Sequence, residues 1–132
     1  MIEVYLDENL SEYVAHALNF LNKGYFQNYQ VYSTKEKFGR GVADEEIIPS
    51  IGEKGGILIT RDINIHKTRL QFELCKEFDL GVFFIKLPKN LNKNWEIVRL
   101  LINNWESIIN TTEREKRPFA YRIPLRGKME KI

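Results

Sequence analysis

The stretch "GGILITRDIN", Gly55 to Asn64, decides the fold: a Gly-Gly turn releases the run "GILIT", which stops abruptly at Arg61 and Asp62. An unbroken apolar run of this length suits a central parallel strand covered on both faces, whereas a strand wet on one side would alternate. The question it raises is why an arginine and an aspartate stand just where the strand leaves the core.

Upstream, "IEVYL" (Ile2–Leu6) alternates and is rich in β-formers, predicting a first strand with Asp7 just beyond it. Leu10, Val14, Ala17, Leu18 and Leu21 recur three and four apart, predicting an amphipathic helix over Leu10–Leu21 that Gly24 ends. "YQVYST" (Tyr29–Thr34) reads as a second strand and "KEKFGRG" (Lys35–Gly41) as a loop. A helix then opens at Asp44, which suits an N-cap; Glu45 and Glu46 suit the positive end of the helix dipole, and Ile47, Ile48 and Ile51 form the buried face. Pro49 predicts that this helix is short.

Downstream, "HKTRLQFELCKEFD" (His66–Asp79) reads as a helix with Leu70, Leu74 and Phe78 in register, and "GVFFIKL" (Gly81–Leu87) as another continuous apolar strand. Asn94–Asn110 predicts a long amphipathic helix whose core face is Trp95, Val98, Leu101, Ile102, Trp105 and Ile109. "PFAYRIPL" (Pro118–Leu125), with its two prolines, reads as an edge strand. Strands alternating with helices predict a three-layer α/β/α domain on a mainly parallel central sheet, one domain over residues 1–132.

Composition agrees. At 132 residues, 43% hydrophobic and 29% charged, the chain can bury a real core without staples. A lone cysteine, Cys75, excludes an internal disulfide framework and a cysteine-based metal cluster, and fits a reducing cytoplasm. The acidic start "MIEVYLDENL" is unlike a signal peptide, and no apolar window is long enough to span a membrane. Net charge is only +2, yet Met1–Thr112 holds 13 basic and 15 acidic residues while Glu113–Ile132 holds 7 basic and 3 acidic. This basic C-terminal segment, with Arg114, Lys116, Arg117, Arg122 and Arg126, reads either as a polyanion-binding surface or as a solvated tail.

In open α/β sheets ligands bind outside the carboxyl ends of the strands. There the chain places Asp7, Glu8 and Asn9 after the first strand, Thr60, Arg61 and Asp62 after the third, and Asp44, Glu45 and Glu46 at the start of the helix between. Taken alone, the Asp44 cluster reads more readily as a helix cap with dipole-favoured acids, and Asp7 and Asp62 could each cap the helix that follows its strand. Together they predict acids converging on one sheet edge, where mutual repulsion calls for a positive charge among them. Magnesium or manganese is the simplest candidate, since hard ions take carboxylate oxygens and leave room for a substrate phosphate. Such ions assist phosphodiester hydrolysis, so the constellation points to cleavage of a nucleic-acid backbone.

At these same residues, "LDENLSEYVAHAL", "ADEEII" and "GGILITRDINIHK", followed by "GVFFIKL" and "RPFAYRIP", the chain resembles the PIN-like domain family, in the subgroup of VapC-type toxins of bacterial toxin–antitoxin systems. The resemblance implies a Mg²⁺- or Mn²⁺-dependent endoribonuclease inhibited in the cell by a small antitoxin protein. It assigns catalysis to Asp7, Asp44 and Asp62 and the metal to Asp7, Asp44 or Glu45, and Asp62. Many members carry a further acid where this chain has Asn64, which brings an oxygen but no charge. A catalytically weak RNA- or protein-binding module on the same fold is the alternative, and self-association as a homodimer is a further implication.

Glu8, Asn9, Glu45, Thr60, Arg61 and Asn64 are expected to support the site, with Arg61 either contacting a scissile phosphate or, the preferred reading, bracing the carboxylates by charge-assisted hydrogen bonds. Lys67, Arg69, Arg117 and Arg122 are expected to hold RNA phosphates. His16 and His66 stand in no metal-ligand spacing, and Cys75 reads as a small core residue. No P-loop, dinucleotide fingerprint or Gly-x-Ser-x-Gly elbow is present, which sets aside the corresponding enzymes.

Overall fold

The structure, a computed structural model, describes every residue except Ile63 and Asn92. Its elements in chain order are β1 (Ile2–Leu6), α1 (Glu12–Tyr25), β2 (Tyr29–Ser33), α2 (Thr34–Lys37), α3 (Asp44–Glu53), β3 (Ile57–Arg61), α4 (Ile65–Glu77), β4 (Gly81–Ile85), α5 (Asn94–Arg114), β5 (Phe119–Ile123) and β6 (Glu130–Lys131). The strands form one sheet in the order β2-β1-β3-β4-β5-β6, parallel throughout except for β6.

Two cores cover the sheet, and side-chain alternation along each strand assigns residues to them. Val4 and Leu6 of β1, Ile57 and Ile59 of β3, and Phe83 and Ile85 of β4 pack with α1 and α5. Tyr5, Leu58, Val82 and Phe84 pack with α3 and α4. This is the three-layer α/β/α architecture that the continuous "GILIT" run requires, because β3 has helices on both faces.

The chain leaves β1 for β2 on one side and returns to β3 on the other, so the strand order reverses between β1 and β3. A crevice opens at such a switch point beyond the carboxyl ends of the two strands. Backbone bonds fix its rim: Asp7 N–H donates to Ile59 O at 2.9 Å, and Asp62 N–H donates to Ile85 O at 2.8 Å.

The structure corrects several details of the sequence reading. The "KEKFGRG" segment begins within the short helix α2. Helix α3 runs ten residues straight through Pro49, because Ile47, Ile48 and Ile51 anchor it to the sheet on either side of the proline. Strand β5 is interior: Pro118 and Pro124 bracket it, leaving its residues free to pair with β4 and β6. The basic segment is therefore partly built into the sheet. On α4 the buried face is Gln71, Leu74 and Cys75, with Leu70 exposed. On α5 it is Ile97, Leu100, Leu101, Trp105, Ile108 and Ile109. Trp95, assigned to the core by spacing, is 68% exposed; with Ile102 and with Ala17 and Leu21 of α1 it lines an open apolar groove. Among the described residues no helix is long and apolar enough to cross a membrane.

Candidate active site

Helix capping, the bland role for each strand-end acid, is filled by other residues. Ser11 caps α1, accepting from Tyr13 N–H. Ala43 is the N-cap of α3, and its carbonyl takes the N–H groups of Glu46 and Ile47 at 3.0 and 3.1 Å. Asp44 is thus the first helical residue and not the cap, so its carboxylate is free of that duty. Asn64 caps α4, its Oδ1 accepting from His66 and Lys67 N–H at 2.9 and 3.2 Å. The amide that departs from the acidic pattern is committed to holding a helix end.

Asp7 is only 4% exposed, an unusual burial for a carboxylate, which must be satisfied by donors or counter-charge. Thr60, fully buried on β3, donates its hydroxyl to Asp7 Oδ2 at 2.8 Å. Asn9 Nδ2 lies 3.3 Å from the same oxygen. The Lys67 ammonium, on the first turn of α4, stands 3.9 Å from it. Gln71, one turn further along α4 and also fully buried, lies within 3.5 Å of the Thr60 hydroxyl.

Asp44 completes this group from α3. Burial pushes its carboxyl above the usual range; Lys67 opposes the shift, Asp7 and Glu45 reinforce it, and a hydrogen bond with Gln71 opposes it. Asp7, Asp44, Lys67, Gln71 and Thr60 thus form one electrostatic unit at the switch point, two carboxylates facing one ammonium.

Asp62 stands apart from them. Its Oδ1 accepts from the Thr68 hydroxyl at 3.1 Å, and its Oδ2 lies 3.5 Å from Arg122 Nε, an ion pair too poorly aligned to count as a hydrogen bond. Among the described residues no three His, Cys, Asp or Glu side chains approach closely enough to hold one ion. The three-acid convergence expected from the sequence becomes a pair, Asp7 and Asp44, with Asp62 turned to its own partners.

Glu8 is a tie: its Oε2 accepts from Gly41 N–H at 3.1 Å and fastens the loop before α3 to the end of β1. Glu45 and Arg69 are exposed. Arg61 does not brace the acids. By alternation it shares the α1/α5 face with Ile57 and Ile59, its Nε is buried without a partner, and it makes no ion pair among the described residues. Burial draws its guanidinium below its usual range. Arg117 lies at the opposite end of the sheet, against Gly55, where the absence of a Cβ leaves room for the guanidinium and the positive φ of 67° independently favours glycine. Of the four expected phosphate contacts, Lys67 and Arg122 border the crevice. His16 pairs with Glu36 on the surface, and Cys75 is a buried core residue whose thiol burial pushes up to about 12.

Sequence reasoning missed Gln71 and Thr68. Gln71 left a trace, a polar residue at the position four after Lys67 on the buried stripe of α4; Thr68 left none.

The donor set fits a hard divalent ion of the magnesium type, which keeps several waters and takes one or two carboxylates. Asp7 and Asp44 would supply those, and the Lys67 ammonium already marks the place where positive charge is needed.

A mainly parallel sheet between two helical layers, with an acidic crevice at its switch point, defines a three-layer α/β/α domain. The match to the family model described as PIN-like domain covers residues 2–87, and the chain belongs to that family. Asp7, Asp44, Asp62 and Lys67 all lie inside the matched segment, whereas Arg122 comes from beyond it. No curated protein and no solved structure matches the chain.

Proposed function

We propose that this PIN-like domain is a metal-dependent endoribonuclease, acting in the cytoplasm as the toxin of a bacterial toxin–antitoxin pair. The observation that carries the proposal is the Asp7–Asp44 pair at the switch point, with Asp7 buried, oriented by Thr60, and excused from capping. Magnesium or manganese bound there would polarise a phosphodiester and neutralise charge on its leaving oxygen. The protein's own groups do the rest. Thr60 and Asn9 fix which Asp7 lone pairs point into the crevice, and Gln71 holds Thr60 in place. Lys67 and Arg122 flank the carboxylates and suit backbone phosphates on either side of the scissile bond, with Arg69 further out on α4. Arg61, whose Nε has no partner among the described residues, supports a phosphate contact at the carboxyl end of β3. For the antitoxin, or for a second copy of the chain, the exposed apolar groove between α1 and α5 offers a docking face.

The test is RNA cleavage by purified protein with Mg²⁺ or Mn²⁺, abolished by EDTA and by Asp7→Asn, together with growth arrest on expression that Asp7→Asn relieves. The proposal is wrong if no RNA is cut with either ion and Asp7→Asn remains as toxic as the parent.

The position of Asp62 favours a second reading, a catalytically weak RNA-binding module, because its oxygens are engaged by Thr68 and Arg122. RNA binding that persists in EDTA and in Asp7→Asn/Asp62→Asn would select it.

A further inference from the structure

Lys67 sits where a cation is wanted. Its Nζ lies 3.9 Å from Asp7 Oδ2, and its charge is the strongest favourable influence on Asp44. The position is enforced by the backbone: Asn64 Oδ1 accepts the Lys67 N–H in capping α4, so the lysine stem rises from the first helical turn beside the carboxylate pair. Yet the side chain is 41% exposed, against 6% for Asp7, and the contact is longer than a hydrogen bond. The ammonium is therefore held by charge and can leave toward solvent on its flexible stem.

We propose that Lys67 is a tethered counter-ion that competes with the divalent metal for the Asp7–Asp44 pair. In the metal-free protein it offsets part of the pair's negative charge; when the metal arrives it is displaced to the rim of the crevice, where a substrate phosphate would pass. This rests on the metal-binding reading of the site, and it adds that the metal affinity is set from within the chain. A point charge a few ångströms from a bound ion changes its affinity on the order of tenfold at the edge of a protein.

Calorimetric titration of the metal-free protein with Mn²⁺ tests it. Lys67→Gln and Lys67→Ala are expected to bind Mn²⁺ on the order of tenfold more tightly than the parent. Lys67→Arg, which keeps the charge, stays close to the parent. Merely structural damage would weaken binding instead. A second readout needs no substitution: mass-spectrometric mapping of lysine acetylation should show Lys67 reacting faster once Mg²⁺ is added. Equal or weaker Mn²⁺ binding by Lys67→Gln and Lys67→Ala, or an acetylation rate indifferent to Mg²⁺, overturns the inference. If the parent binds Mn²⁺ and Asp7→Asn does not, that failure leaves the metal site standing; if neither lysine variant nor parent binds any metal, both fall together.

Discussion

Thr60 joins β3 to β1 through its side chain, its hydroxyl donating to Asp7 Oδ2 at 2.8 Å inside a core where neither residue is appreciably exposed. The bond crosses the switch point itself, and it is the shortest of the contacts that orient the principal carboxylate, ahead of Asn9 at 3.3 Å. Thr60→Val keeps the shape of the side chain and removes the donor. Leaving a buried charged acceptor short of a partner costs about 1–3 kcal/mol. Urea denaturation should show that loss, with metal-dependent RNA cleavage reduced more than proportionately because Asp7 loses its aim. Unchanged stability would mean that water or Asn9 replaces the hydroxyl.

The unequal surroundings of the acids predict unequal effects of neutralising them. Asp7→Asn should reduce cleavage by at least about two orders of magnitude, in line with loss of a group that stabilises transition-state charge. Asp62→Asn should cost less, on the order of tenfold, because it loosens Arg122 and Thr68 without touching the carboxylate pair. Single-turnover cleavage rates at saturating Mg²⁺ compare the two directly, and equal losses would return Asp62 to the centre of the site.

The β/α order and the rim positions of Asp7, Asp44 and Asp62 were legible because strand periodicity and strand ends are written locally. Which way each carboxylate turns was not. Asp44 and Asp62 have the same sequence signature, an acid beside an element boundary, and only tertiary packing decides that one meets Asp7 while the other meets Arg122, sixty residues away in the sequence. The same limit explains Trp95: its spacing puts it on the apolar stripe of α5, but the stripe is wider than the sheet can cover. Strand β6 escaped notice because two charged residues carry no pattern at all.

Asp44 predicts a pH dependence. Burial raises its carboxyl above the ordinary value, so between the unfolded and folded values the native protein holds more protons than the unfolded chain. Stability from this group is therefore lost as pH rises through that window. In metal-free protein, Asp44→Asn should raise the thermal midpoint at pH 7, and the gain should vanish below about pH 4, where the carboxyl is protonated in both states. Calorimetric scans of the two proteins over that range decide it, and a midpoint lowered at pH 7 would mean that the Asp44 carboxylate stabilises the metal-free protein.

Cys75 should be inert while the protein is folded. It is 1% exposed, and burial, reinforced by Asp44, pushes its thiol up to about 12, so almost no thiolate exists at neutral pH. An aromatic disulfide reagent should report no free thiol in the native state within minutes and one per chain in denaturant. Rapid native reaction would reveal opening of α4 away from the sheet.

Arg117 and Arg122, five residues apart, should behave oppositely toward RNA, because β5 carries one to each end of the sheet. Arg122 borders the acidic crevice; Arg117 packs against Gly55 at the amino ends of the strands. Neutralising a residue that contacts a phosphate weakens binding and flattens its salt dependence by about one counterion, or somewhat less on a single strand. Arg122→Gln should do both, while Arg117→Gln leaves affinity and slope unchanged, as read by fluorescence anisotropy at several salt concentrations with Mg²⁺ replaced by Ca²⁺ to suppress cleavage. Arg122→Gln also releases Asp62, so Asp62→Asn serves as the control. If the Asp62 variant reproduces the loss of affinity, the arginine acts by holding the loop after β3; if only the Arg122 variant loses affinity, it meets the phosphate itself.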